Sequence, residues 1–364
     1  NRLNFIKSAI LLARNNNFDG IDLDWEYPAF PDQGGKPEDK VNFILLLQEL
    51  RNEIDKEVLS YGKSKLLLTI AVGIGNDKIE VGYDINKIHP YVDYISLMSY
   101  DLHGTWENQV FSHTPIYPLP NTDKSSIYNR YTIDYGTKLW INGGTPTSKL
   151  VLGLALYGRC WTLVSNSPGQ GLLSNAKGDA KQGEWTREPG FLAYFEINRW
   201  KMSGSVGIYD EHTKSTYIQK DDQWCSYDDK KSLMDKVNYA MNENLLGIMF
   251  WALDQDEYIT ESYPLLNYVI QESKLCLGRT RSINNNVEYE SQMSANTLLT
   301  IGLVLVVCCI VLIGVFSLRK LFSSGRHVST QSAKKNKNKS KKNKSPKANS
   351  ISSSSEDRTI NDNE

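Results

Sequence analysis

Five short apolar runs divide residues 1–278, and each is rich in β-branched or aromatic residues and ends in polar residues or glycine. Helical periodicity precedes four of the five runs. Strands that alternate with helices in this way predict a parallel sheet covered by helices. The predicted strands are 20–28, 65–73, 91–101, 149–159 and 246–254, and the predicted helices are 2–15, 38–59, 125–143 and 230–243.

Residues 160–229 interrupt this alternation, and their richness in Gly, Ser and Trp indicates a subdomain inserted between the last two strands. Two architectures fit the remaining strands, an open doubly wound sheet and a (β/α) barrel. No glycine-rich phosphate loop follows any strand. Polar and aromatic residues instead cluster where strands end, which is where barrel enzymes place their active sites. The clustered residues are Asp24, Glu26, Tyr100, Asp101, Tyr157, Arg159, Trp251 and Asp254.

The first strand, within FDGIDLDWEYP (18–28), carries acids at every second position. Residues two apart on a strand face the same side, so Asp22, Asp24 and Glu26 form one ladder of carboxyl groups, whereas Asp19 faces the other way. Like charges at this spacing raise the pKa of some members. The uppermost group, Glu26, is then expected to hold a proton near neutral pH and to act as a general acid.

Two other interpretations of the acids remain open. A solvated acidic loop would not need Ile, Leu and Trp at the alternate positions. A Ca²⁺ or Mg²⁺ site usually places its acids on a glycine-containing turn rather than along a strand. The period-two pattern therefore favours a catalytic ladder over both of these alternatives.

An uncharged run follows the predicted domain. No charged residue lies between Gln292 and Arg319, and residues 298–318 are long and apolar enough to cross a bilayer as a helix. A buried core helix is the alternative, but core helices rarely lack a polar face for this length. Residues 279–297 would be a juxtamembrane linker. The Lys-rich segment 319–364 is expected to be a disordered cytoplasmic tail, with the domain extracellular or lumenal.

Charge is distributed unevenly between the two parts of the chain. Residues 1–318 contain 29 Lys and Arg against 38 Asp and Glu, whereas residues 319–364 contain 12 against 4. An acidic main domain argues against nucleic-acid binding. Cys160 and Cys225 flank the predicted insertion and would pair in an oxidising compartment, or they would be separate buried thiols. Cys276 is expected to be free or to lack its partner.

The ladder and four further motifs resemble the glycoside hydrolase family 18 chitinases. DGIDLDWE (19–26) matches the DxxDxDxE signature of that family. Further similarity, in the same order along the chain, is found in MSYDLHGTW (98–106), LALYGR (154–159), EPGFLAYFEI (188–197) with QWCSYDD (223–229), and GIMFWALD (247–254). The resemblance covers about residues 1–278. It implies a TIM barrel with an inserted α+β subdomain, at about 160–246, between the seventh and eighth strands.

The resemblance also implies hydrolysis of β-1,4-linked N-acetylglucosamine polymers by a retaining, substrate-assisted mechanism that needs no metal or other cofactor. Glu26 would be the acid and base, with Asp24, Asp22, Tyr100 and Asp101 assisting it. The implied substrate-binding residues are Tyr27, Met98, Trp106, Tyr157, Arg159, Trp251 and Glu188. For these, aromatic or ion-pair packing is the alternative explanation. His103 and His113 are interpreted as loop residues rather than catalytic bases.

The five strands correspond to the fourth to eighth strands of the family's barrel. We therefore expect the natural chain to be longer, with three further βα units before Asn1, and we expect the chain as given to close its barrel incompletely. Two other functions compete with a membrane-anchored chitinase. One is an inactive chitin-binding lectin on the same fold, although lectin-like relatives usually lose the acid found here at Glu26. The other is a membrane-tethered adhesion protein that acts through its Lys-rich tail.

Overall fold

The computed structural model describes residues 1–59, 62–258 and 262–273. The helices are α1 (Arg2–Asn15), α2 (Asp39–Lys56), α3 (Asn76–Gly82), α4 (Ile85–Ile88), α5 (Ile127–Arg130), α6 (Ile133–Asn142), α7 (Tyr194–Met202) and α8 (Lys230–Asn242). The strands are β1 (Gly20–Asp24), β2 (Leu67–Gly73), β3 (Tyr94–Met98), β4 (Leu150–Ala155), β5 (Tyr157–Leu163), β6 (Ala176–Asp179), β7 (Phe191–Ala193), β8 (Gly207–Asp210), β9 (Ser215–Lys220), β10 (Gln223–Tyr227) and β11 (Gly247–Trp251). Residues 264–273 are also helical.

The five predicted strands form one parallel sheet in the order β1-β2-β3-β4-β11, so this part of the sequence-based prediction is confirmed. The three central strands are almost wholly buried, as expected of parallel strands that are covered on both faces. The outer strands β1 and β11 are more exposed. Together the sheet and its helices form a TIM-barrel-like α/β fold.

The sequence pattern misplaced several element boundaries around the sheet. The predicted strand 149–159 divides at Leu156, since β4 ends at Ala155 and β5 begins a second sheet. The predicted helix 125–143 divides at Thr132, whose hydroxyl accepts a hydrogen bond from the Tyr135 N–H at 3.2 Å and so begins α6. Helices α3 and α4 were not predicted.

The insertion contains an antiparallel sheet in the order β6-β5-β10-β9-β8, with β7 also paired to β5. Helix α7 accompanies this sheet, so an α+β unit is present in this part of the chain, and its strand β5 begins at Tyr157. Helix α8 follows it and packs on β4 and β11. Cys160 and Cys225 are directly opposite each other on β5 and β10 and form a buried disulfide bond.

The described part of the chain contains no helix with the length and apolar character that a bilayer crossing requires. The predicted linker 279–297, membrane span 298–318 and tail 319–364 all lie outside the described residues, and so does Cys276.

Candidate active site

The parallel sheet collects the predicted site residues at one end. Because the strands run in the same direction, their carboxyl ends meet at the same edge. β1 ends at Asp24, two residues before Glu26, and β3 ends two residues before Tyr100. β11 ends at Trp251, beside Ala155 of β4. The peptide bonds Glu26–Tyr27 and Trp251–Ala252 are cis.

The alternation of acids and apolar residues on β1 separates two faces, as predicted. Ile21, Leu23 and Trp25 pack against the hydrophobic core, and the Trp25 ring meets Phe43 edge-on at 5.9 Å. Asp22, Asp24 and Glu26 lie on the opposite, inner face, where water still reaches them. The acids therefore form a ladder that climbs toward the carboxyl end of the sheet.

The carboxyl groups of the ladder are partly desolvated by the protein atoms around the inner face, even though water reaches them. This loss of hydration, followed by the charges of Glu26 and Asp22, raises the pKa of Asp24 to about 7. Burial also raises the pKa of Asp22, and a short hydrogen bond donated by the Thr69 hydroxyl opposes this rise. Asp24 therefore exchanges its proton near neutral pH. The expectation that Glu26 holds a proton there stays a prediction.

Asp101, in contrast to Asp24, is held in its ionised form by the cationic side chain of Arg159. Arg159 donates from Nε to Oδ1 and from Nη2 to Oδ2, both at 2.7 Å, in a two-pronged contact. Burial alone would raise the pKa of Asp101, but the hydrogen bonds and charges of Arg159 and His113 lower it well below its ordinary value. Asp101 is therefore a fixed anion.

Tyr100 interacts electrostatically with both the ladder and Asp101. Burial raises the pKa of Tyr100 well above its ordinary value, and the charges of Asp101, Asp24 and Glu26 raise it further, so these groups share one electrostatic environment. The Tyr100 hydroxyl consequently stays protonated and can donate a hydrogen bond. Gly153 leaves room for this ring, because a Cβ there would lie 2.9 Å from Tyr100 Cε1.

Tyr157 and Arg159 lie near the site, although they belong to the insertion sheet and not to a barrel strand as predicted. The Tyr157 ring meets Tyr100 at 6.0 Å and stacks on Phe191 at 4.7 Å. Its exposure is only 2%, so it packs behind Tyr100 and has little surface left for contact with a ligand. Glu188 Oε1 approaches Arg159 Nη1 at 3.8 Å and is itself well exposed.

The other predicted substrate-binding residues differ in accessibility. Trp251 and Trp106 expose 40% and 63% of their surface, which suits contact with a ligand. Met98 is buried at the end of β3. Tyr27 is half-buried, and its ring fits against Gly73, where a Cβ would lie 2.9 Å from Tyr27 Cε1.

One tyrosine and one histidine lie near the site although the sequence pattern did not place them there. Tyr83 is buried and accepts a hydrogen bond from the Gly73 N–H at 3.4 Å. Burial raises its pKa, and the charges of Asp24 and Glu26 add to that rise, so it lies near the ladder. His113, interpreted as a loop residue, is fully buried beside Asp101. No sequence signal distinguished either position.

His103 is also fully buried, but it serves a different loop. Its Nδ1 lies 2.8 Å from Glu107 Oε1, and its Nε2 lies 3.1 Å from the Tyr131 carbonyl oxygen. Its ring stacks on Tyr128 at 5.5 Å. Within the described ranges, no three His, Cys, Asp or Glu side chains converge closely enough to hold a metal ion.

Comparisons with known proteins agree with this geometry. The family model for glycosyl hydrolases family 18 matches residues 1–256. Mouse chitotriosidase-1 is 37% identical over 287 residues, which cover 78% of this chain and 60% of that protein. The structure of the immunomodulatory active chitinase TsES1 from Trichuris suis has a TM-score of 0.68 at 33% identity and covers 74% of this chain and 73% of that one.

A third similar structure is that of a protein described as a pseudo-chitinase. Human YKL-39, a pseudo-chitinase with retained chitooligosaccharide binding, has a TM-score of 0.67 at 34% identity, with 74% of this chain and 73% of that one covered. The chain spans between 43% and 67% of the length of the curated relatives it matches. The family match covers most of the chain and includes the acid ladder, so the chain belongs to family 18 of the glycosyl hydrolases.

Proposed function

We propose that the protein hydrolyses β-1,4 linkages between N-acetylglucosamine units of chitin or chitooligosaccharides, with Glu26 as the acid and base. The observation that carries this proposal is the ladder of Asp22, Asp24 and Glu26 on one face of β1, at the strand end where Tyr100 and Trp251 also lie. At that end the pKa of Asp24 is raised and the pKa of Asp101 is lowered, so a proton-exchanging acid and a fixed anion lie close together.

Glu26 would protonate the glycosidic oxygen as the bond to the leaving sugar breaks. The N-acetyl carbonyl oxygen of the reacting sugar would attack its own anomeric carbon and form a cyclic oxazolinium ion. Glu26, now an anion, would then take a proton from the water that opens this ion, so the anomeric configuration is retained. No protein nucleophile takes part in these steps.

The neighbouring residues would stabilise the charge that develops on the sugar. Asp24 accepts the acetamido N–H, and its pKa of about 7 allows it to be ionised when the ring becomes positive. Asp22, the next acid on the ladder, accepts a hydrogen bond from the Thr69 hydroxyl. Tyr100 donates to the acetamido oxygen, and Asp101 contacts the bound sugar. The exposed Trp251 ring forms an apolar floor under that sugar, while Tyr27, Met98, Trp106 and Glu188 line the cleft.

Substitution of the acid tests this assignment. We expect Glu26→Gln to lower kcat for release of a chromophore from a chitobiose or chitotriose glycoside by at least about 100-fold, because it removes the transferable proton. Binding of chitotetraose, measured by calorimetry, should persist. Asp19→Asn is the matched control, since Asp19 lies beside the same strand with the opposite parity and should leave the rate unchanged.

Two results would contradict the proposal. Equal rates for the parent and Glu26→Gln would show that Glu26 is not the acid. Oligosaccharide binding without turnover in the parent would support the alternative of a lectin-like protein, and human YKL-39 is described as a pseudo-chitinase that retains such binding.

We further propose that residues 298–318 anchor the protein in a membrane, with the domain outside the cytoplasm and the tail inside it. The uncharged run and the Lys-rich segment after it support this orientation. The Cys160–Cys225 disulfide also suits an oxidising compartment. An epitope tag at the C-terminus should be detected in intact cells only after the plasma membrane is permeabilised, and detection before that would contradict the orientation.

A further inference from the structure

We infer that His113 is a positioning residue for Asp101, an inference that rests on the proposed role of Asp101 at the bound sugar. His113 is fully buried in the segment between β3 and α5. It takes no part in the proposed mechanism. Its polar groups nevertheless contact Asp101 and Leu102, which form the corner at which the chain turns after β3. The geometry indicates that His113 holds this corner in the shape that Arg159 requires.

The corner needs support because its backbone is unusual. Asp101 has a φ of +56°, in the left-handed region that residues with a side chain seldom adopt. Such a conformation persists only where the surroundings fix it. If this backbone relaxed, the Asp101 carboxylate would turn away from the two donors of Arg159.

His113 contacts the corner twice. Its carbonyl oxygen accepts the Leu102 N–H at 3.0 Å. Its Nδ1 lies 3.5 Å from the Asp101 amide nitrogen and 3.7 Å from Asp101 Oδ1. A neutral ring can accept the amide proton, and a protonated ring can donate to the carboxylate, so the side chain engages Asp101 in either state.

His113 is itself anchored to the insertion sheet. Its N–H donates to the Ser226 hydroxyl of β10 at 3.1 Å, and Ser226 pairs with Arg159 in the β10–β5 register. The two residues that hold Asp101 are thereby tied to adjacent strands of one sheet. The ring also packs against Tyr157 at 5.1 Å.

A buried ion pair fixes the next residue along the segment. The Thr114 hydroxyl donates to Asp228 Oδ2 at 3.1 Å, and Asp228 Oδ1 accepts from Lys236 Nζ at 2.5 Å. The Asp228 and Lys236 side chains have no exposed surface. The segment is thus fastened on both sides of the His113 ring, whose Nε2 has no hydrogen-bond partner among the described residues. Nδ1 is therefore the ring atom that acts on a neighbour.

Two variants of the full chain separate this role from simple packing. His113→Leu keeps the volume and the backbone contacts but removes the ring acceptor and donor. His113→Asn restores both kinds of group. We expect His113→Leu to lower kcat about 10- to 100-fold, as a displaced site group does, with less than a threefold change in the chitotetraose Kd. His113→Asn should recover most of the rate.

A second measurement does not depend on activity. The Nε–H signal of Arg159 in a ¹H–¹⁵N NMR spectrum reports its contact with Asp101, and it should shift or broaden in His113→Leu but stay in place in His113→Asn. His103→Leu is the matched control, since it removes the other buried histidine of this segment without touching Asp101, and it should leave the Arg159 signal unchanged.

The outcomes are distinguishable. If the parent does not hydrolyse the substrate, the proposed function fails and the NMR comparison still decides the role of His113. An unchanged Arg159 signal in His113→Leu would overturn the inference. The stoichiometry of chitotetraose binding gives the folded fraction of each variant. If the smaller folded fraction of His113→Leu accounts for its entire loss of activity, the inference is also overturned.

Discussion

Asp24 and Asp101 lie at the same end of the parallel sheet and yet are held in opposite states of ionisation. Partial desolvation and two neighbouring acids raise the pKa of Asp24 to about 7. The pKa of Asp101, whose burial alone would raise it, is instead pushed down by Arg159 and His113. The carboxyl groups are chemically identical, so their neighbours alone set the difference.

This contrast shows how one end of a sheet can supply both an exchangeable proton and a fixed anion. On the ladder, desolvation raises the pKa of Asp24 and of Asp22, and like charge adds to the rise for Asp24. Asp101 meets its cation across two sheets, because it follows β3 whereas Arg159 belongs to β5. Each of the following substitutions should weaken or sharpen that difference.

The largest effect is expected from Arg159→Met, which removes both donors from Asp101. We expect the pKa of Asp101 to rise above its ordinary value, and the free energy of unfolding at pH 7 to fall by about 2 kcal/mol. This loss is smaller than for a fully buried pair because both side chains keep some contact with water. Urea unfolding measures it.

The pH dependence and a conservative variant complete this test. An acid whose pKa is lowered in the folded state stabilises the protein at pH values above the acid's ordinary pKa. That stabilisation is lost as the pH falls through the folded-state pKa. The difference in the free energy of unfolding between the parent and Arg159→Met should therefore become smaller below about pH 4. Arg159→Lys should lose less, since it keeps the charge but not the two-pronged contact. Equal unfolding free energies for the parent and Arg159→Met would contradict the assignment.

Asp24→Asn should change the pH dependence of the free energy of unfolding in the opposite sense to Arg159→Met. Because the pKa of Asp24 is higher in the folded state, the parent binds an extra proton on folding and loses stability as the pH rises from about 4 to about 7. The variant should lack this loss and melt a few degrees higher than the parent at pH 8, while kcat falls. Asp19→Asn should keep the parent profile, and a parent-like profile for Asp24→Asn would contradict the prediction.

Glu26→Gln should reduce the difference between the pKa values of Asp24 and Asp101 without abolishing it. Because the ionised form of Glu26 raises the pKa of Asp24, its replacement by a neutral amide should lower that pKa, although desolvation, the larger cause, and the charge of Asp22 still hold it above its ordinary value. A ¹³C titration of the Asp24 carboxyl group measures this change. The pKa of Asp101 should remain low in the same sample, and an unchanged pKa of Asp24 would show that the two groups do not interact.

The smallest effect is expected from Thr69→Val, which removes the hydroxyl that donates to Asp22. The pKa of Asp22 should rise further, and the free energy of unfolding at pH 7 should fall by about 1 kcal/mol. Thr69→Ser is the matched control and should behave like the parent in chemical unfolding. A Thr69→Val protein as stable as the parent would show that the hydrogen bond contributes nothing.

The sequence predicted the parallel strands well because their apolar runs are long and bounded by polar residues. It failed where a boundary depends on backbone geometry. The run 149–159 is continuously apolar, so nothing in it marks the change of sheet at Leu156. Helices α3 and α4 are only seven and four residues long, too short for a periodic pattern to appear.

The site was predicted unevenly for a related reason. Alternation along one strand is visible in the sequence, so the faces of Asp22, Asp24 and Glu26 followed from parity alone. The contacts of Asp101 with Arg159 and His113 bring together residues 58 and 12 positions away, and a single sequence carries no signal of such proximity. The pairing of Cys160 with Cys225 was left open because it depends on strand register.

The disulfide bond gives the insertion a thermodynamic role in the chemistry of Asp101. It closes a loop across a sequence separation of 65 residues, which removes about 4 kcal/mol of chain entropy from the unfolded state. Cys160 directly follows Arg159, and Cys225 directly precedes Ser226, the hydroxyl partner of His113. A covalent bond between two sulfur atoms thus fixes the register of the two strands that carry Arg159 and the partner of His113, one residue away from each.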